Sequence, residues 1–176
     1  MQDIYKAIKK SAIQIRDLIE EATIQKTASQ NSTGDTQMEL DVLSDEVIEK
    51  NFKQVSSINK IVSEEKDSIE DINDTGKYLI AYDPLDGSSL IDVNLSIGSI
   101  FGIYKDDFSG KNLISSVYVV YGPRVELVIA DEEKQVKLYR LVKDEFKFAQ
   151  DLTLKEKGNL NAPGSTQKEW YPHHKS

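Results

Sequence analysis

The chain has no cysteine, one tryptophan, two histidines and four prolines in 176 residues. Without cysteine there is no disulfide, no thiolate metal site and no thiol redox control. Nothing therefore points to an oxidising compartment. The two histidines are adjacent, His173 and His174, with no third nitrogen or sulfur ligand at zinc spacing, and they read as exposed. No apolar run is long enough to cross a membrane. The N-terminus lacks the apolar core of a secretory signal. Cytoplasm is the expected location. A basic excess is missing too: 22 Lys and Arg stand against 30 Asp and Glu, a net charge of −8. That argues against nucleic acid, whose recognition needs a positive surface. It suits a site that gathers divalent cations.

What is present is the composition of one globular domain with a sizeable core. Hydrophobic residues make up 39% and charged residues 30%, far from the balance of a disordered chain. Residues 2–25 read as an amphipathic helix, with Ile4, Ile8, Ala12, Ile15, Ile19 and Ala22 recurring every three to four positions. Residues 26–37 read as a polar loop without proline or a large apolar side chain. A second helix is expected from Thr36 to Phe52, with Met38, Leu40, Val42, Leu43, Val47, Ile48 and Phe52 as its apolar face. Asp41 lies inside that pattern, and a carboxylate there is costly to bury without a partner.

After Ser57 the period changes from helix to strand. A short strand is expected over 57–62, ending at Glu64-Glu65, and 66–76 reads as a polar connection. Further strands are expected over 78–82, 94–104, 113–121, 124–130, 135–142 and 145–149, with hairpin-like separators. Val117, Val119 and Tyr121 alternate with Tyr118 and Val120, so both sheet faces are expected to be covered. Tyr118, Tyr121, Phe146 and Phe148 read as core aromatics. The pattern predicts an α+β fold, two N-terminal helices packed on a mainly antiparallel sheet.

The chemistry is concentrated in Asp83-Pro84-Leu85-Asp86-Gly87-Ser88-Ser89. Pro84 biases Asp83 towards an extended strand end and has no N–H, so strand pairing is expected to stop there. Two carboxylates three positions apart can converge on one hard cation such as Mg²⁺. The Gly-Ser-Ser that follows offers backbone N–H groups and hydroxyls to a phosphate. Each motif also has a plainer reading. Asp-x-x-Asp-Gly occurs as a turn with solvated acids, Glu64-Glu65 as a solvated pair, Asp41 as a surface residue, and Asp35 as a helix cap or turn residue.

Taken together the motifs resemble class I fructose-1,6-bisphosphatase. The residues that carry the resemblance are Asp83 to Ser89, Ile91-Asp92-Val93, Ser96-Ile97-Gly98 and Ile100 to Tyr104. Upstream are Gly34-Asp35, Leu40 to Ser44, Ser63-Glu64-Glu65 and Gly76-Lys77-Tyr78. The resemblance runs from the first helix to about Gly158. It implies the N-terminal half of the family's chain, with a metal- and phosphate-binding domain over 1–158 and a linker over 159–176 towards a sugar-phosphate domain.

The implied reaction is hydrolysis of D-fructose 1,6-bisphosphate by metal-activated water. The implied metal ligands are Glu64, Asp83, the Leu85 carbonyl and Asp86, for two or more Mg²⁺ or Mn²⁺. Asp41 and Glu65 would activate the water, and Asp35, on a loop that closes over the metals, would help to position it. Asp86, Gly87, Ser88 and Ser89 would hold the 1-phosphate. A homotetramer is implied as well. Leu90 stands where the family commonly has Asn. A sedoheptulose-bisphosphatase or inositol-monophosphatase-like enzyme would share the Asp-Pro-x-Asp-Gly motif. A fragment that only binds cations is the alternative from another class.

Overall fold

The computed structural model describes residues 1–26 and 33–158; within these, the side chains of 22–26 and 33–38 are not described. Two helices, α1 (Gln2–Lys26) and α2 (Thr33–Phe52), pack on one face of an eight-stranded sheet. The strands are β1 (Ile58–Ser63), β2 (Glu70–Asp71), β3 (Tyr78–Asp86), β4 (Ile97–Tyr104), β5 (Leu113–Tyr121), β6 (Glu126–Ala130), β7 (Val136–Val142) and β8 (Glu145–Asp151). Their spatial order is β2-β1-β3-β4-β5-β6-β7-β8. The pairing is antiparallel everywhere except between β1 and β3, which run parallel. This is the α+β architecture that the sequence predicts, and residues 78–149 contain no parallel pair.

The helices form because apolar positions recur on one side. Ile4, Ile8, Ala12 and Ile15 on α1, and Leu40, Ile48 and Phe52 on α2, are buried against the sheet. A polar clasp joins the helices: the Asn51 amide donates to Ser11 Oγ at 2.9 Å and to Gln14 Oε1 at 2.7 Å. One row of side chains crosses the sheet under them, Tyr82, Phe101, Val117 and Ile129, set by direct register partners. Phe52 packs edge-on against both Tyr82 and Phe101, at 5.7 and 6.1 Å between centroids, a preferred aromatic geometry.

Six expectations need correction. The polar loop is shorter than 26–37, because Lys26 is still in α1 and α2 already begins at Thr33. Thr, Gly and Asp are poor helix-interior residues but suit a first turn, which is where Thr33, Gly34 and Asp35 fall. Residues 27–32 of that loop lie outside the described residues, as do Gly164, His173 and His174. Val42 is 51% exposed and so is not part of the apolar face of α2. The polar connection 66–76 contributes the two-residue strand β2, which pairs with β1.

Strand pairing does not stop at Pro84. Asp83 pairs with Ile100 and Asp86 with Gly98, so Pro84-Leu85 stand opposite Ser99 alone. This is a bulge, one of the places where a strand tolerates proline. Finally, the second sheet face is open among the described residues: Tyr118 is 45% and Ile100 48% exposed. Alternating apolar residues mark two apolar faces, but the helices lie on only one. Of the four predicted core aromatics, Tyr121 is buried and Phe146 packs on the core, whereas Tyr118 and Phe148 are exposed.

Candidate functional site

The parallel pair explains why distant acidic residues meet. Parallel strands end at the same edge, and here Ser63 is level with Tyr82. The residues that follow, Glu64-Glu65 after β1 and Asp83 to Asp86 at the end of β3, therefore share one end of the sheet. The Glu64 N–H donates to the Tyr82 carbonyl at 2.9 Å and continues the ladder one step further. Beyond it the chain turns: the Lys66 N–H donates to the Ser63 carbonyl at 3.3 Å, and the Glu65 N–H donates to Ser63 Oγ at 3.2 Å. Both glutamates thus occupy the middle of a tight turn whose first residue, Ser63, is buried.

The bulge shapes the other half. Asp83 Oδ1 accepts from the Leu85 N–H at 3.0 Å, a local turn of the kind Asp favours. Ser99 Oγ, fully buried, donates to the Pro84 carbonyl at 2.7 Å and is 3.0 Å from the Tyr121 hydroxyl. Gly87 follows at φ +82°, a left-handed conformation that L side chains resist. It opens a short 3-10 helix over Ser88–Val93.

α2 closes the site from the helix layer. Ser88 Oγ donates to Asp41 Oδ2 at 3.1 Å. The other oxygen, Asp41 Oδ1, is buried with no hydrogen-bond partner. A buried orphan of this kind carries a desolvation cost of about 1–3 kcal/mol or more. The Asp41 carboxyl is pushed above the usual range by burial first and then by the charge of Glu64, against the Ser88 hydrogen bond. Glu65 is pushed up by burial and by the charges of Asp41, Glu64 and Asp45. Asp83 is pushed up to about 6, chiefly by burial, with Glu64 and Asp86 adding to it and the Leu85 N–H opposing.

The structure thus makes neighbours of Asp41, Glu64, Glu65, Asp83 and Asp86. It does not pull them to ligand spacing: among the described residues no three His, Cys, Asp or Glu could hold an ion together as they stand. The donors fit a hard cation in kind, being all oxygen, and Asp41 Oδ1 has a vacant lone pair. Asp35 lies in the first turn of α2 rather than on a loop, and its side chain is not described. Ser88 lends its hydroxyl to Asp41, while Ser89 is exposed.

Sequence reasoning missed three residues here. Buried Asp45, one turn beyond Asp41, accepts from the Tyr82 hydroxyl at 2.8 Å and pairs with Lys66 at 2.9 Å. Lys66 also bonds Glu49. The signal for Asp45 was its spacing: Asp41, Asp45 and Glu49 form one i, i+4 ridge of α2.

The model of one protein family, described as fructose-1-6-bisphosphatase, N-terminal domain, matches residues 1–151. The chain belongs to the fructose-1,6-bisphosphatase family. It is similar to the fructose-1,6-bisphosphatase class 1 of Campylobacter concisus (strain 13826), at 52% identity over the whole chain and 62% of that relative. The class 1 relative from Campylobacter jejuni subsp. jejuni (strain NCTC 11168) is 49% identical over 99% of the chain and 62% of its own length. The chain thus spans about three fifths of the curated relatives it matches. Among solved structures, fructose-1,6-bisphosphatase of Leishmania major in holo form superposes with a TM-score of 0.74 at 28% identity, covering 85% of this chain and 51% of that one. The apo form gives 0.69 at 27% identity, with 84% and 50% covered.

Proposed function

We propose that the intact protein hydrolyses D-fructose 1,6-bisphosphate to D-fructose 6-phosphate and phosphate, as a Mg²⁺- or Mn²⁺-dependent phosphatase of gluconeogenesis in the cytoplasm. The observation that carries this reading is the orphaned Asp41 Oδ1 among neighbouring carboxylates, in a chain of this family. Crowded, half-desolvated acids raise one another's pKa unless a cation neutralises them. Asp83, Asp41 and Glu65 are all pushed that way.

Glu64, Asp83, Asp86 and the Leu85 carbonyl would hold two or more cations, once drawn together. Bound there, the cations supply charge neutralisation and a polarised phosphoryl oxygen. Asp41 and Glu65 take the proton of the attacking water as its oxygen bonds to phosphorus. The bond between phosphorus and the sugar oxygen breaks, and that oxygen leaves as the C1 hydroxyl after taking up a proton. Asp35 helps to place the water. Asp86, Gly87, Ser88 and Ser89 hold the 1-phosphate, with backbone N–H groups from the left-handed turn at Gly87 onwards. Residues 1–158 form the metal- and phosphate-binding unit. Residues 159–176 lead towards a further domain that contacts the sugar, and the assembly is a homotetramer.

The test is phosphate release from fructose 1,6-bisphosphate, sedoheptulose 1,7-bisphosphate and inositol monophosphate, by the chain completed to its relatives' length. The first substrate is expected to turn over fastest. Faster turnover of inositol monophosphate overturns the reading. No turnover of any, with cation binding intact, leaves a cation-binding protein.

A further inference from the structure

We propose that Asp45 is a positioning residue, the hub that holds the three acidic segments side by side for a divalent cation, which then draws their carboxylates together. This rests on the cation-binding reading given above. The case starts from chain connectivity. Asp45 Oδ1 accepts from the hydroxyl of Tyr82, whose next residue is Asp83. Asp45 Oδ2 pairs with Lys66, whose preceding residue is Glu65. Asp45 itself sits one helical turn from Asp41 on α2. A single buried carboxylate therefore ties together the three segments that carry Asp41, Glu64-Glu65 and Asp83-Asp86.

The energetics favour a positioning role over a purely stabilising one. The Asp45 side chain is 4% exposed, and a buried ion pair recovers its desolvation cost only in part. Two apolar residues of similar volume would replace the ion pair itself at little cost to the packing of α2 against β1 and β3, the orphaned Tyr82 hydroxyl being the main loss. What they could not do is fix direction. The hydrogen bonds at 2.8 and 2.9 Å do so for both acidic segments at once. Lys66 is further tied to Glu49, so the turn that presents Glu64-Glu65 is held at both ends, by buried Ser63 and by Lys66. Residues that hold a ligand in place without touching the ion commonly change metal affinity about 10–100-fold when replaced.

The test is Mn²⁺ binding by the full chain, read from loss of the free-ion electron paramagnetic resonance signal, with no turnover involved. Asp45→Leu/Lys66→Met removes the hub while refilling its volume. Its metal-free unfolding midpoint is expected only a few degrees below wild type, because the Tyr82 hydroxyl loses its Asp45 acceptor, and its Mn²⁺ affinity about 10–100-fold weaker. Asp45→Asn keeps an acceptor for Tyr82 and loses the ion pair, so it is expected to fall between the two. Lys66→Arg is expected to restore affinity to within about threefold. Affinity within about twofold of wild type in a folded double variant overturns the proposal. Failure of both the double variant and Asp45→Asn to fold overturns it as well, because the hub is then a folding contact. A wild type that binds no Mn²⁺ overturns the cation-binding reading itself.

Discussion

Asp83 has the most displaced carboxyl at the candidate site, raised from 3.8 to about 6, with burial as the leading cause. A carboxyl raised in the fold opposes folding when ionised. The penalty is absent below the unfolded value near 4, and fully present above the folded value near 6. Asp83→Asn keeps an acceptor for the Leu85 N–H and removes the charge. Metal-free Asp83→Asn is therefore expected to melt above wild type at pH 7, by about 2–4 °C after allowance for solvent screening of a partly exposed group. The gap should close as pH falls from 7 to 4, and a gap constant with pH would refute the assignment. At Asp41, replacement by Asn should lower turnover of the intact protein about 10²–10⁴-fold while substrate KM changes little. Most of these acids were legible through one motif each, reinforced by the others in sequence order. Asp45 and Lys66 were not, since a Lys after two Glu reads as solvated until the fold puts a buried carboxylate beside it.

At the level of elements, hydrophobic period located both helices and every strand of the antiparallel run. Period alone could not decide where α2 begins, because Thr33 to Thr36 are polar. Nor could it decide how β3 passes Pro84, which depends on Ser99 from a neighbouring strand. The Ser99 hydroxyl is the buried peg of that bulge, bonded to the Pro84 carbonyl and close to the Tyr121 hydroxyl. Ser99→Ala leaves a buried acceptor short of a donor, which costs about 1–3 kcal/mol. The unfolding temperature should drop by about 3–10 °C, and calorimetry would read it. Metal affinity should weaken too, since the bulge orients Asp83 against Asp86. An unchanged midpoint would show that the backbone holds the bulge without the hydroxyl.

For the molecule as a whole, a ligand that binds only the folded state stabilises it. Millimolar Mg²⁺ or Mn²⁺ should therefore raise the unfolding temperature. Asp86→Ala should remove most of that gain, and Glu20→Ala, on α1, should not. Equal shifts in all three proteins would contradict the metal assignment. The openness of the second sheet face was not legible, since an alternating strand looks the same whether or not a partner layer is present. One long-range contact has a consequence for biosynthesis. The Tyr5 hydroxyl meets Ser115 Oγ at 2.9 Å, across 110 residues of sequence. At about 5–20 residues per second, a ribosome takes roughly 5–20 s to make the chain between them. Through that interval the apolar stripe of α1 lacks the half of the sheet from β5 onwards, although β1, β3 and β4 have already been made. The nascent chain is a natural client for chaperones that hold amphipathic segments. Protease resistance of the helices should arise abruptly once β5 leaves the ribosome, and translation-arrested chains of graded length would time that event.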